Sequence, residues 1–239
     1  KNKGKYFKEV RCYKDGFRQH IKNNGNIGWI LNHKFHSTSK DIPALIGYHN
    51  NGSISYESYY MNGERHREEG PAHTEYYQNY SVKIKVYYIN NEKHREDGPA
   101  TIEYYKDGSI FSEAYYINGK LNREDGPAEI VYNEDGSIVS ESYSINGKAH
   151  RENKPAKIRY HKDDIIASES YCFNNKLHRE DEPAEIVYNE DGSLSFEVYY
   201  INGEKHRKDG PALVYYNKNN SILLKKYYIN GVEQIKEKL

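Results

Sequence analysis

The chain has 239 residues, and its 35 Lys and Arg balance 35 Asp and Glu to a formal net charge of zero. This balance does not favour a dedicated nucleic-acid binder or a polybasic membrane anchor, because both depend on an excess of Lys and Arg. No apolar run approaches the roughly 18 residues of a membrane span. With no recognisable signal peptide and only Cys12 and Cys172, no disulfide framework is expected. The composition thus indicates a cytoplasmic protein that is not secreted.

The first segment, residues 1–42, is expected to be an N-terminal cap, either irregular or a degenerate repeat. Its first half is rich in Lys and Arg, so it has a second interpretation as a basic arm that contacts nucleic acid, phospholipid or an acidic partner. Nucleic-acid binding is not expected outside residues 1–40. The candidate partner contacts in this segment are Lys1, Lys3, Lys5, Arg11, Arg18 and Trp29.

All seven prolines lie after residue 42, and each is 28 residues from the next. The positions are Pro43, Pro71, Pro99, Pro127, Pro155, Pro183 and Pro211. A fixed period between about 20 and 50 residues is the signature of a repeat protein. The sequence therefore predicts seven 28-residue β-repeats over 43–231, followed by a C-terminal tail or cap at 232–239.

Each repeat contains two alternating segments and two turn signals. In the third repeat, Ala100, Ile102 and Tyr104 alternate with polar residues, which is typical of a strand. Asp107-Gly108 and Asn118-Gly119 are strong hairpin signals. We predict two principal strands in each repeat and a short third piece around the His-Arg pair.

This pattern predicts an all-β fold, an elongated antiparallel β-hairpin repeat array built as a single extended sheet or as a β-solenoid. A propeller is the weaker alternative, because a four-stranded blade needs about 40 to 50 residues. In a repeat array each unit contacts only its neighbours, and the core runs along the stack.

Tyrosines and arginines recur in the same 28-residue phase as the prolines. A tyrosine ring can bury about 150–250 Å², so we expect the tyrosine columns to take the place of an aliphatic core. One tyrosine column is Tyr59, Tyr87, Tyr115, Tyr143, Tyr171, Tyr199 and Tyr227. A second starts at Tyr48 and ends at Tyr216. The arginine column is Arg67, Arg95, Arg123, Arg151, Arg179 and Arg207, and all but one of its members follow a histidine.

The His-Arg-Glu-Asp motif, as at residues 94–97, could in principle supply a base, an acid and an anion clamp. An active site is normally a unique constellation, whereas this motif recurs from repeat to repeat. We therefore interpret it as part of the bonding between repeats and predict that the arginines pair with acidic residues. The histidine column is not expected to bind a metal. Equivalent histidines in successive repeats lie roughly 9–10 Å apart, whereas two nitrogens that bind one Zn²⁺ must lie within about 4 Å of each other. No catalytic residue, cofactor or metal is predicted.

Two alternatives to a purely structural array stay open. One is a hydrolase site where the N-terminal region meets the first repeats. The other concerns residues 150–185, where Lys154 and Glu182 replace the glycine that elsewhere precedes proline. The irregularity there is either drift or a partner site.

The recurring unit Tyr-Tyr-Ile-Asn-Gly-x-x-His-Arg-x-Asp-Gly-Pro-Ala resembles a divergent MORN-type repeat over about residues 44–231. Tyr59-Tyr60-Met61-Asn62-Gly63 and Asp97-Gly98, with their copies, carry the similarity. It is similar in particular to the long repeat proteins of giant, amoeba-infecting viruses, which implies a viral protein in the host cytoplasm. The period of 28 is longer than that of MORN units, and the family's tryptophan and Gly-x-Gly pattern are missing. The resemblance implies a scaffold role. It also implies a membrane association, for which no other feature of the sequence gives support.

The function predicted from these features is a non-enzymatic repeat scaffold that mediates protein–protein interaction or self-assembly. The expected partner is another protein or a second copy of the chain.

Overall fold

The structure, a computed structural model, describes residues 7–235. Within these residues the chain consists of β-strands joined by turns, with one 3-10 turn at Lys162–Asp164. The predicted all-β, antiparallel hairpin-repeat fold is confirmed. The chain divides into two compact units, Lys1–Lys120 and Leu121–Leu239.

Each repeat begins with two longer strands, one after the Pro-Ala pair and one after the Asp-Gly turn. The first strands are Leu45–Tyr48, His73–Tyr76, Thr101–Tyr104, Glu129–Tyr132, Lys157–Tyr160, Glu185–Tyr188 and Leu213–Tyr216. The second strands are Ile54–Ser58, Val82–Val86, Ile110–Ala114, Ile138–Ser142, Ile166–Ser170, Leu194–Val198 and Ile222–Ile229.

Two short strands follow and flank the Asn-Gly turn. They are Tyr60–Met61, Glu64–Arg65, Tyr88–Ile89, Glu92–Lys93, Tyr116–Ile117, Lys120–Leu121, Ser144–Ile145, Lys148–Ala149, Cys172–Phe173, Lys176–Leu177, Tyr200–Ile201 and Glu204–Lys205, with Val232–Gln234 after the last second strand. The predicted third piece is therefore a pair of short strands that ends just before the His-Arg pair. The His-Arg residues themselves lie in a loop, which we call the HR loop: residues 66–70, 94–98, 122–126, 150–154, 178–182 and 206–210.

The segment predicted as a cap forms strands as well. They are Phe7–Cys12, Arg18–Lys22, Ile27–Leu31 and Lys34–Phe35. Ile30 pairs with Phe35 across a two-residue turn, Asn32-His33, in which both residues have positive φ. This is the same short hairpin that each repeat makes at its Asn-Gly turn. Residues 1–6 and 236–239, at the two ends of the predicted cap and tail, lie outside the described part.

In the first unit the strands pair antiparallel in chain order. Inside the first repeat, Ile46 lies opposite Glu57. Between repeats, Ser58 of one second strand lies opposite His73 of the next first strand. Ile27–Leu31 pairs with Leu45–Tyr48 in the same manner, so the N-terminal strands extend this unit's sheet.

The second unit repeats this scheme. Ile186 lies opposite Glu197 within a repeat, and Val198 lies opposite Leu213 in the next. Each second strand before the last is therefore bonded on both edges, once to its own repeat and once to its successor. Regular pairing of this kind follows from the constant repeat length, because an insertion would shift the register.

The two predicted turns have different geometries. Asp107 lies in a loop in which the Tyr105 N–H donates to the Ser109 carbonyl at 2.8 Å. The Asp107 carboxylate accepts from the Ser109 hydroxyl at 2.7 Å, and this bond lowers the pKa of Asp107. The Asn-Gly turn has two residues with positive φ, 53° at Asn202 and 88° at Gly203. Such a turn matches the right-handed twist of the strands it joins.

The fully buried side chains are the alanines that follow each proline rather than the tyrosines. Their exposure is 0% at Ala44, Ala72, Ala100, Ala128, Ala156, Ala184 and Ala212. The Ala72 carbonyl accepts the Tyr59 N–H of the preceding repeat at 2.7 Å, so neighbouring backbones approach closely there. In the column that starts at Tyr59, the other tyrosines are half-buried. The tyrosines therefore line a narrow alanine core, and what covers their rings is the arginine column.

Candidate functional site

The arginine column stacks on the first tyrosine column. The guanidinium carbon of Arg67 lies 3.8 Å from the centre of the Tyr59 ring. The same arrangement occurs at Arg95 (4.2 Å), Arg151 (3.6 Å), Arg179 (3.8 Å) and Arg207 (3.9 Å), each over the tyrosine eight residues earlier. A cation over an aromatic face is attracted by the ring's quadrupole. Each of these arginines thus covers one face of a tyrosine ring in the first column.

The same guanidinium groups also reach the start of the next repeat. Arg67 donates from Nη1 to the carbonyl of Pro71 at 3.4 Å. Equivalent bonds join Arg95 to Pro99, Arg123 to Pro127, Arg151 to Pro155, Arg179 to Pro183 and Arg207 to Pro211. Proline lacks an N–H, but its carbonyl is an acceptor that needs a partner. The arginine therefore joins two successive repeats.

Acidic residues of the HR loop pair with some of these arginines. Arg95 donates from Nε to Asp97 at 2.8 Å, and Arg123 donates to Asp125 at 2.9 Å. The guanidinium groups lower the pKa of both carboxyls. Arg179 pairs with Glu182 instead. Because the carboxylates are exposed, each pair contributes little to stability.

The glycine before proline is explained by the arginine at Gly98 and Gly126, whereas Gly70 has a φ of 110° that itself favours glycine. A Cβ on Gly98 would stand 3.0 Å from the Arg95 guanidinium carbon, and one on Gly126 would stand 2.9 Å from that of Arg123. Glu182 takes this place in a later repeat and forms an ion pair with its arginine. The substitutions at residues 154 and 182 therefore change the loop's side chains and charge.

The histidine column holds the Asn-Gly turns in place. The Asn90 N–H donates to Nδ1 of His66 in the preceding repeat at 3.2 Å. The bond recurs from Asn118 to His94, from Asn202 to His178 and from Asn230 to His206. Asn122 replaces a histidine of this column but makes the equivalent bond, because its Oδ1 accepts the Asn146 N–H at 2.8 Å.

His36 belongs to this column, although sequence reasoning missed it. Its Nδ1 accepts the Asn62 N–H at 3.1 Å. Two extra residues between His36 and Pro43 move the histidine out of the 28-residue phase. The order Asn32-His33-Lys34-Phe35-His36, which parallels Asn-Gly-Lys-x-His in the repeats, was the signal that could have identified it.

The second tyrosine column bonds to glutamates of the preceding repeat. Tyr76 donates to Glu57 at 2.7 Å and Tyr160 to Glu141 at 3.0 Å. Tyr188 and Tyr216 do the same to Glu169 and Glu197. Burial, with the adjacent carboxylate, raises the pKa of Tyr160, Tyr188 and Tyr216 to about 12.

The N-terminal candidate contacts lie in different surroundings. Lys1, Lys3 and Lys5 lie outside the described residues. Arg11 is exposed and forms a 2.6 Å ion pair with Glu9, and Arg18 is exposed on the neighbouring strand.

Trp29 occupies the place of a column tyrosine. Its N–H donates to the Ala44 carbonyl at 2.7 Å, as the Tyr59 N–H does to Ala72. The half-buried indole packs against Tyr13, with ring centres 5.2 Å apart. Trp29 therefore has a packing role within the first unit.

One cleft lies between residues 36–40 and the first HR loop, and another lies between two successive HR loops. In the first unit a cleft of about 370 Å³ includes His36, Tyr60, Met61 and Arg67. It lies where a hydrolase site was considered. Its two carboxylates, Glu68 and Glu69, are 84% and 76% exposed. Strongly solvated carboxylates of this kind do not favour general acid–base chemistry there.

The larger cleft, about 610 Å³, lies in the second unit between the HR loops at 150–154 and 178–182. It coincides with the irregular region of the sequence. Its floor contains Phe173, which sequence reasoning did not single out. The signal was present, since Phe173 replaces an aliphatic residue in the column that includes Ile145 and Ile201.

Among residues 7–235, no group of three or more His, Cys, Asp or Glu side chains is placed to hold a metal ion. The same part of the chain contains no helix long and apolar enough to cross a membrane. The free Cys172 is buried on a short strand, and burial raises the pKa of its thiol, which disfavours the nucleophilic thiolate.

The sequence matches no known family model and no curated protein. Among solved structures, it is similar at 10% identity to choline binding protein F from Streptococcus pneumoniae. That alignment covers 95% of this chain and 99% of the other, with a TM-score of 0.14. A TM-score this low does not establish a common fold, and it transfers no property to this chain.

Proposed function

We propose that the protein is a non-enzymatic β-repeat scaffold whose HR loops bind another protein or a second copy of the chain. The observation that carries this proposal is that the basic and acidic residues of the His-Arg-Glu-Asp motif have different surroundings. Its histidine and arginine are used to bond one repeat to the next. A group engaged in that way is not available for chemistry on a substrate.

The acidic half of the motif is directed to solvent. Glu68 is 84% exposed and Glu96 is 86% exposed. Repeats that present the same exposed residues can contact one partner at several points, and multiple weak contacts on one partner raise the overall affinity. Four of the six HR loops carry a net negative charge, which favours a partner with a basic surface. The resemblance to MORN-type repeats implies the same role.

The test compares the wild-type chain with a variant in which two HR-loop charges are removed, Glu96→Gln and Glu180→Gln. The matched control removes charge from the Asp-Gly turns, at Glu134→Gln and Glu190→Gln, where the glutamates are also exposed. Sedimentation velocity measures self-association, and affinity capture with quantitative mass spectrometry measures partners.

We expect a specific partner or self-association that weakens only in the HR-loop variant. A chain that stays monomeric and captures nothing above the background of an unrelated protein would contradict the scaffold proposal. Equal losses in both variants would show that the HR loops are not the binding surface.

A further inference from the structure

The large cleft between residues 150–154 and 178–182 presents an aromatic ring to solvent. Phe173 is 53% exposed. Its ring centre lies 5.1 Å from that of His150, edge to face, and 6.2 Å from that of His178. Two histidines therefore pack near the ring while about half of the residue stays exposed. An exposed aromatic face is a site for a cation, because its π-electrons carry partial negative charge.

The charge around the ring has the sign that a cation requires. Of the ionisable residues that line the cleft, two are arginines and four are carboxylates. Arg151 and Arg179 are already stacked on Tyr143 and Tyr171 and bonded to prolyl carbonyls. Arg179 also pairs with Glu182. The remaining carboxylates are exposed, at Glu152, Glu180 and Asp181.

His150 differs from the rest of its column. Its Nδ1 is buried and has no hydrogen-bond partner among the described residues. At His66 and His178 this atom accepts the N–H of the asparagine that opens the next two-residue turn. Here the turn is Asn174-Asn175, and the Asn175 side chain instead accepts the Ala149 N–H at 2.6 Å. The His150 imidazole is therefore not tied to the next turn as those of His66 and His178 are, and it packs against Phe173.

We infer that this cleft binds an arginine side chain from a basic segment of a partner protein. The guanidinium lies over the exposed part of the Phe173 ring and is balanced by Glu152, Glu180 and Asp181. Arginine fits better than a compact ammonium, because its planar group stacks on a ring while its edge N–H groups donate. The inference rests on the proposed scaffold function and names the partner's chemistry at one repeat junction.

The probe is a fluorescein-labelled peptide with three arginines separated by glycines, added to the full chain at low salt. Phe173→Ile restores the aliphatic residue found at this position in neighbouring repeats and so preserves the fold. Phe111→Ile is the control, because Phe111 is also exposed but lies in the other unit, outside the cleft. Thermal unfolding checks that both variants are folded.

We expect the wild type and Phe111→Ile to bind the peptide equally, and Phe173→Ile to bind it about fivefold more weakly or worse. A citrulline peptide should bind poorly because it lacks the charge. Equal affinity of Phe173→Ile and wild type would overturn the inference, as would equal binding of the citrulline peptide.

The scaffold proposal can fail separately. If the chain self-associates or captures a partner through its HR loops while the arginine peptide does not bind, the cleft assignment is wrong and the scaffold stands. If the peptide binds in a Phe173-dependent way but the chain neither self-associates nor captures a partner, the cleft stands and the scaffold is wrong.

Discussion

The arginine that joins two repeats can be tested most directly at Arg207. Its guanidinium carbon lies 3.9 Å from the Tyr199 ring centre, and Nη1 donates to the Pro211 carbonyl at 3.3 Å. Arg207→Met keeps an unbranched side chain and removes both interactions. A partly desolvated cation–π contact contributes about 1 kcal/mol, and a hydrogen bond contributes about 1 kcal/mol net. We therefore expect a loss of about 2 kcal/mol in the free energy of unfolding.

Equilibrium unfolding in urea measures this loss. With a slope of about 2 kcal/mol/M, the midpoint should fall by about 1 M. Lys208→Met is the matched control, since Lys208 is the next residue in the same HR loop and is exposed. It removes the same charge and should change the stability by less than about 0.5 kcal/mol. If the two variants unfold at the same urea concentration, the arginine does not join the repeats and the stacking argument fails.

Three further predictions concern the other contacts between and within repeats. His94→Ala should lower the free energy of unfolding by about 1 kcal/mol, because it removes the acceptor of a turn N–H. His94→Asn should be tolerated, and equal urea midpoints for His94→Ala and the wild type would refute this. Asn202→Ala should cost about 1–2 kcal/mol since φ is 53° there, and Asn202→Gly should unfold near the wild-type temperature. The pKa of Tyr188 is raised to about 12 in the folded chain. The neutral Tyr188 side chain therefore stabilises the fold fully below the ordinary tyrosine pKa of about 10, and this contribution is lost as the pH rises to about 12. Tyr188→Phe should flatten that decline in urea midpoints measured from pH 9 to 12, and an unchanged slope would contradict the assignment.

The strands and turns could be predicted because they depend on local chemistry. Alternating residues such as Ile102 and Tyr104 define a strand by their period. An Asn-Gly pair such as Asn202-Gly203 adopts positive φ at low cost and so places a hairpin turn. The constant spacing of the prolines then extends one repeat's structure to the others. These properties need no knowledge of what a residue contacts across the fold.

The core and the bonding between repeats were predicted only in part. The sequence indicated that the His-Arg motif was structural, but not that Arg67 lies on Tyr59 or that His66 accepts the turn N–H of the next repeat. The abundance of tyrosine predicted a tyrosine core, whereas the fully buried side chains are alanines such as Ala72. Column patterns show that residues recur, whereas burial depends on how closely two backbones approach.

The candidate cleft shows the same limit. Residues 150–185 stood out in the sequence as irregular, yet the substitutions noted there, at 154 and 182, are not those that make the site. The exposed ring of Phe173 and the carboxylates beside it define the cleft, and Phe173 breaks no rule of local structure.

The sequence by itself determined the repeat, its strands and its turns, because period and local backbone preference are written in neighbouring residues. Only the tertiary structure decided which side chains are used up in joining repeats and which are left facing solvent. The physical reason is that a side chain's remaining capacity to bind depends on its partners, and those partners lie about one repeat away: His66 is bonded to Asn90, while His150 is not bonded to its counterpart.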